Sequence, residues 1–300
     1  MADLLPNPGA PAPSLRPLIA EAVERVRPLV LPGCYDALGA RLIEQAGFAG
    51  VYMTGFGSTA SLLGRPDVGL LGMSEMVDNA RRIASAVDLP VLADADTGYG
   101  NAINVIRTVQ EYERAGVAGV HVEDQVLPKK CGHMENKQVI DAGEMVGKVR
   151  AAVSARRRDD FVVVARTDAR APHGLDEALR RGSACVEAGA DVLFVEALLD
   201  HDEIARVAQE FADVPLVFNW AEGGKTPPLT YDEIAGLGYA VIIAPIGTLL
   251  SATAAMQQFL AQLRQDGTPA AFADELLPFG EFTDLIGLPE VTRLESEFGA

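Results

Sequence analysis

Cysteine is scarce in this chain of 300 residues. Cys34, Cys131 and Cys185 are far apart and odd in number, which excludes a disulfide framework and fits a reducing compartment. Basic residues are also in short supply, with 25 Lys and Arg against 42 Asp and Glu and a net charge of −17. That balance argues against nucleic acid and against anionic membranes as partners. No apolar run reaches the ~18 residues of a membrane span. The opening MADLLPNPGAPAPSLRP has no basic segment leading into an apolar one, so no secretory signal is expected and the cytoplasm is the expected compartment. HExxH and CxxC spacings are missing, which argues against zinc. PGCYDALGA, after the first apolar run, is not a dinucleotide fingerprint. The string GGKT lacks the leading glycine of a phosphate loop, because Asn219 stands there, and Pro227 and Pro228 follow where a helix is needed.

What is present is a large apolar complement, 49% of residues, enough for a sizeable core. Short apolar runs at 28–31, 50–53, 90–93, 119–122, 161–165, 192–195, 215–218 and 240–243 alternate with segments of helical period. The helical segments are 35–46, 74–86, 102–115, 142–155, 175–188, 201–211, 231–237 and 248–263. Several close on a tag with glycine in the C′ position, at Ala46, Ala115, Ala188 and Leu237. Eight buried strands, each followed by a helix, predict a (β/α)8 barrel of the TIM type. Residues 1–13, with four prolines, are expected to be a mobile tail. The barrel is expected over 14–264, opening with a helix whose apolar face is Leu18, Ile19, Ala22, Val23 and Val26. Residues 265–300 form a C-terminal extension too apolar to be disordered, with Phe282, Leu285, Ile286, Leu288 and Leu294.

Polar residues gather where the strands end: Tyr35, Thr54, Asp94, Asp96, His121, Glu123, Arg166, Asp168, Glu196 and Asn219. Barrel active sites sit at those ends. Asp94 and Asp96, two apart, share a face and invite either a hard cation or a helix cap. With Glu123 and Asp67 they make an oxygen-only set that favours Mg²⁺ or Mn²⁺. Arg166 can take a carboxylate bidentately, or can pair with Asp168 or Glu196. Tyr35 is either a site residue or a packed ring. The stretch GVHVEDQVLPKKCGHMENK (119–137) turns from a strand into a loop carrying Lys129, Lys130, Cys131, Gly132 and His133. Its cations would activate the thiol and draw anions, and Gly132 would admit a ligand close to the backbone.

EDQ followed by KKCGH resembles the signature of the isocitrate lyase and phosphoenolpyruvate mutase superfamily. The resemblance runs from about Leu29 onward and is closest to the short lyases acting on methylisocitrate and dimethylmalate, and to the petal-death protein. It implies Mg²⁺ held, largely through water, at Asp94, Asp96, Glu123 and, further out, Asp67. It implies substrate contacts from Thr54 (a serine in the family's Y-x-S-G, here YMTG), Gly55, Phe56, Lys130, Gly132, His133, Arg166, Glu196 and Asn219. Cys131 is then the general acid, assisted by His133, and Tyr35 or a water on the metal is the candidate base. The expected reaction is retro-aldol cleavage of a small 2-hydroxy di- or tricarboxylate. A C-terminal helix exchanged between subunits would give a homotetramer. The rivals are an oxaloacetate hydrolase or decarboxylase, a phosphonopyruvate-type mutase (which typically lacks KKCGH), and a catalytically inactive metal-binding scaffold.

Overall fold

Valine-rich runs closed off by glycine-terminated helices become eight parallel strands. In chain order these are β1 (Leu29–Cys34), β2 (Val51–Met53), β3 (Val91–Asp94), β4 (Gly119–Glu123), β5 (Val162–Thr167), β6 (Val192–Val195), β7 (Leu216–Asn219) and β8 (Val241–Ala244). The computed structural model describes residues 4–5, 12–132, 134 and 136–299. Each strand pairs with the next, and β1 closes on β8 with Leu29 opposite Val241 and Leu31 opposite Ile243. The result is the expected closed (β/α)8 barrel. Of the expected N-terminal tail, most lies outside the described residues.

Strand alternation sorts the core into two shells. Leu29, Leu31, Tyr52, Leu92, Val164, Phe194, Val217 and Ile243 pack together inside the barrel. Their neighbours Val51, Met53, Val91, Ala93, Val120 and Val122 face the surrounding helices. Two residues beyond the inward Tyr52, Leu92, Val164, Phe194 and Val217 come Thr54, Asp94, Arg166, Glu196 and Asn219. The polar residues are thus the next inward positions at the strand ends, so the parity that builds the core also aims the site.

The helices fall within about three residues of their expected bounds, that over Ala142–Ala155 without any shift. Two features differ. The first helix, Arg16–Arg25, buries Leu15, Ile19 and Ala22 against the barrel interior, while Val23 and Val26 are 54% and 63% exposed. The buried face is the i, i+4, i+7 series from Leu15, and the left-handed cap at Val26 turns that residue away. A helix not read from the sequence, Gly55–Leu63, follows β2 with Thr54 as its N-cap. Its glycines and hydroxyl residues hid it, because they are weak helix formers.

The helix Gly247–Asp266 and the tail helices Phe279–Leu285 and Leu288–Phe298 bury none of their residues. Met256, Leu260, Phe279 and Phe298 are exposed on them. Among the described residues, no helix is long and apolar enough to cross a membrane.

Candidate active site

A cavity of about 260 Å³ opens at the C-terminal ends of the strands. It falls below the ~300–1,000 Å³ typical of larger ligand pockets and suits a small molecule. Thr54, Phe56, Asp67, Asp94, Glu123, Lys130, Cys131, Gly132, Arg166, Glu196 and Asn219 all line it, brought together from six strand ends and two loops. Ile243, Pro245 and Ile246 give it an apolar side.

The acidic half is built around a lysine. Lys129 is 3% exposed, and its Nζ stands 2.7 Å from both Asp67 Oδ2 and Asp96 Oδ1. The Asp96 contact is a short, buried ion pair. Asp96 is not on the cavity wall and adopts a left-handed φ of 48°. Burial pushes its carboxyl up to about 6 despite the pull of Lys129, with Asp94 and Asp67 adding repulsion. Asp94 accepts the amides of Asp96 and Gly55 at 2.9 and 3.2 Å. Burial raises the Asp94 carboxyl, but His121, Lys129 and Arg166 outweigh it and the net shift is downward. Gly55 suits this position, since a Cβ there would clash with the Asp94 carboxylate.

Arg166 organises the other half. Its Nε and Nη2 donate to Asp168 at 2.9 and 3.0 Å, and it lies 3.4 Å from Glu123 Oε2 and 3.2 Å from Glu196 Oε2. The ion pairs weighed in the sequence therefore both exist, and Arg166 still lines the cavity. Asn219 Nδ2 donates to Glu196 at 3.1 Å. Cys131 is half-buried, with its amide donating to the Asp67 carbonyl at 3.2 Å. Lys130 reaches the carbonyl of Asn136 at 3.2 Å. His133 lies outside the described residues.

Tyr35 is not among the lining residues. Its ring stands beside Gly57 and its carbonyl accepts Asn79 Nδ2 at 3.0 Å. The tyrosine on the wall is Tyr52, whose hydroxyl is 2.8 Å from His121 Nε2. His121 Nε2 is in turn 3.5 Å from Asp94 Oδ1. Burial lowers the pKa of the imidazole despite Asp94, and raises that of the Tyr52 phenol.

The family profile described as phosphoenolpyruvate phosphomutase matches residues 20–264. A curated relative, 2,3-dimethylmalate lyase of Eubacterium barkeri, is 48% identical over 93% of this chain and 96% of its own. The chain belongs to the phosphoenolpyruvate mutase/isocitrate lyase superfamily. Among its solved structures, oxaloacetate acetylhydrolase with 3,3-difluorooxalacetate is 38% identical with a TM-score of 0.89, covering 96% of this chain and 98% of that one. Phosphonopyruvate hydrolase with oxalate and Mg²⁺ is 33% identical with a TM-score of 0.86, covering 96% and 100%.

In this superfamily member the EDQ motif divides three tasks. Glu123 faces the cavity. Asp124, fully buried, accepts the Asp168 amide, the Thr167 hydroxyl and Arg181, bracing the end of β5. Gln125 holds Lys130 at both its amide and its carbonyl, at 3.0 and 2.8 Å, and so braces the cysteine loop. Sequence reasoning missed Tyr52, although its inward parity in β2 could have revealed it. It also read Lys129 as loop charge, where the structure uses it as a buried counter-ion.

The residues present fit a divalent cation. Six carboxylates (Asp67, Asp94, Asp96, Glu123, Asp168, Glu196) face three permanent cations (Lys129, Lys137, Arg166) across this buried network. Glu123 Oε1 is buried without a partner, and burial drives its carboxyl well above the ordinary range despite Arg166. Both observations mark missing positive charge. Among the described residues, no three His, Cys, Asp or Glu side chains converge as a metal cage, and Lys129 is paired with Asp67 and Asp96. Such a set suits Mg²⁺, which keeps several waters.

Proposed function

We propose that the chain is a magnesium-dependent carbon–carbon lyase acting on a small 2-hydroxy dicarboxylate of the 2-alkylmalate type, with 2-methylisocitrate-type tricarboxylates as the wider class. The observation that carries this reading is one cavity lined by the carboxylates of Asp94 and Glu123, the latter with a buried oxygen lacking a hydrogen-bond partner, and by the thiol of Cys131. The apolar side at Ile243, Pro245 and Ile246 favours alkyl substituents over a further charged group.

Asp94 and Glu123 would hold Mg²⁺ with Asp96 and Asp67 behind them, and the bound ion supplies a Lewis acid for the 2-hydroxy acid oxygens. Arg166 takes a substrate carboxylate. Tyr52 accepts the hydroxyl proton while passing its own to the neutral Nε2 of His121. The C–O bond becomes the carbonyl of a 2-oxo acid, and the pair from the broken C–C bond moves onto the departing fragment as a carboxylate enolate. Cys131 gives that carbon a proton. Thr54, Gly55 and Phe56 shape one side of the cavity, Glu196 and Asn219 another, and His133 and Lys130 belong to the same substrate-binding set.

A second reading, oxaloacetate hydrolysis, draws support from the small cavity and the acetylhydrolase likeness. The apolar tail helices support a homotetramer in which the tail covers a neighbouring barrel. The three cysteines form no disulfide with one another, which accords with a cytoplasmic enzyme. A coupled assay over 2-alkylmalates, 2-methylisocitrate and oxaloacetate, with and without EDTA, tests the reading. Formation of a 2-oxo acid from a 2-alkylmalate only with Mg²⁺ present is expected. Acetate and oxalate from oxaloacetate, with no cleavage of hydroxy acids, would replace the lyase by the hydrolase.

A further inference from the structure

The segment that carries Cys131 is anchored by a lysine that the mechanism above does not use. The Lys137 side chain is 1% exposed, and its Nζ contacts Asp168 Oδ1 at 2.6 Å and donates to the Gly132 carbonyl. Asp168, fully buried, is the same carboxylate that receives both Nε and Nη2 of Arg166. One ammonium therefore joins the backbone beside the thiol to the group that orients the guanidinium. Arg166 meets three carboxylates, those of Asp168, Glu123 and Glu196. Without the second cation on Asp168, the excess of carboxylate charge around Arg166 would be larger and an anionic substrate would be held less well. The Gly132 carbonyl would also lose this donor.

We propose that Lys137 is a positioning residue, tying the Gly132 carbonyl to Asp168 so that the Cys131–Gly132 backbone is held at the cavity and Arg166 keeps charge for a substrate carboxylate. The kinetic part of this inference rests on the lyase reading, whereas the geometric part does not. A buried ion pair is weak evidence for a stability role, since apolar isosteres often replace one without loss of fold. Lys137→Met, of similar length and uncharged, therefore separates positioning from folding.

The experiment compares the Mg²⁺-loaded wild type and Lys137→Met by calorimetric melting, by iodoacetamide labelling resolved at each cysteine peptide, and by kcat and KM. Cys34 and Cys185 are buried, and burial raises both thiols, so they serve as unlabelled internal standards. In the folded variant, Cys131 labelling should change several-fold, KM for the dicarboxylate should rise, and kcat should fall on the order of 10²-fold, as for a misplaced catalytic group. Wild-type labelling at Cys131 would overturn the proposal whatever happens to turnover. If Lys137→Met does not fold, the charge-balanced Lys137→Met/Asp168→Asn double variant is compared with Asp168→Asn alone, and equal Cys131 labelling in those two would overturn the proposal. A wild type inert on every 2-hydroxy acid would remove the lyase reading, and the labelling comparison would still decide the role of Lys137.

Discussion

Gly132 lies against the Arg166–Glu196 ion pair so closely that a Cβ on it would stand 2.5 Å from Glu196 Cδ and 2.6 Å from Arg166 Nη2. The residue next to the candidate acid is thus a glycine because two charged side chains occupy the space of its side chain. Gly132→Ala should push the loop or the ion pair aside, and kcat should fall on the order of 10²-fold. The melting temperature should move little, since the clash lies at the cavity rim and not in the barrel wall. Steady-state kinetics with the alanine variant decides this, and wild-type kcat would mean that the loop backbone is free to shift without consequence.

The acidic half should make metal-free stability pH-dependent in a specific direction. Asp96 ionises near 6 in the fold, above its ordinary value of 3.8. The folded state therefore binds more protons than the unfolded one between those values. Its contribution is fully present below about pH 3.8 and is lost as pH rises through about 6. In EDTA, Asp96→Asn should gain on the wild type in melting temperature as pH is raised from 4 to 7. A difference that is flat or falls over that range would contradict the burial account of Asp96.

Supplying the missing charge should stabilise the fold. Mg²⁺ should raise the melting temperature of the wild type, by mass action on the native state, and should restore activity lost to EDTA. Glu123→Gln, which removes the carboxylate whose Oε1 has no hydrogen-bond partner, should weaken both effects. Asp94→Ala should resemble the chelated enzyme while remaining folded. Full turnover after exhaustive chelation would remove the metal from the account.

The tail offers a test of assembly. Truncation after Gly267 deletes the short helices with exposed Phe279, Phe282, Leu288 and Phe298. Size-exclusion chromatography should show a smaller oligomer, and melting should occur at a lower temperature. Identical elution and melting for the two forms would rule out the tail as an assembly element.

The barrel was legible because its signals are local and repeated: buried runs such as 192–195, and helices closed by glycine at 47, 116, 189 and 238, each with positive φ. The site was legible as a set because inward parity carries Thr54, Asp94, Glu123, Arg166, Glu196 and Asn219 to one end. What the sequence could not show is which charges neutralise each other. Lys129 and Lys130 are adjacent and alike in the chain, yet one is buried between Asp67 and Asp96 and the other holds a loop carbonyl. Inward parity in β2 puts Tyr52 on the cavity wall, whereas the packing of Tyr35 beside Gly57 keeps that ring outside it. The charge pairings and the placement of Tyr35 depend on contacts between residues tens of positions apart, which no local pattern encodes.

In the proposed reaction Cys131 protonates the carbanion equivalent released by C–C cleavage and forms no covalent bond to substrate. The most direct measurement is turnover of a 2-alkylmalate by Cys131→Ala in the presence of Mg²⁺, beside substrate affinity measured on the same variant. The account predicts a loss of about 10²–10⁴-fold in kcat, the range of a positioned general acid, with affinity little changed. Wild-type turnover in the alanine variant would contradict it.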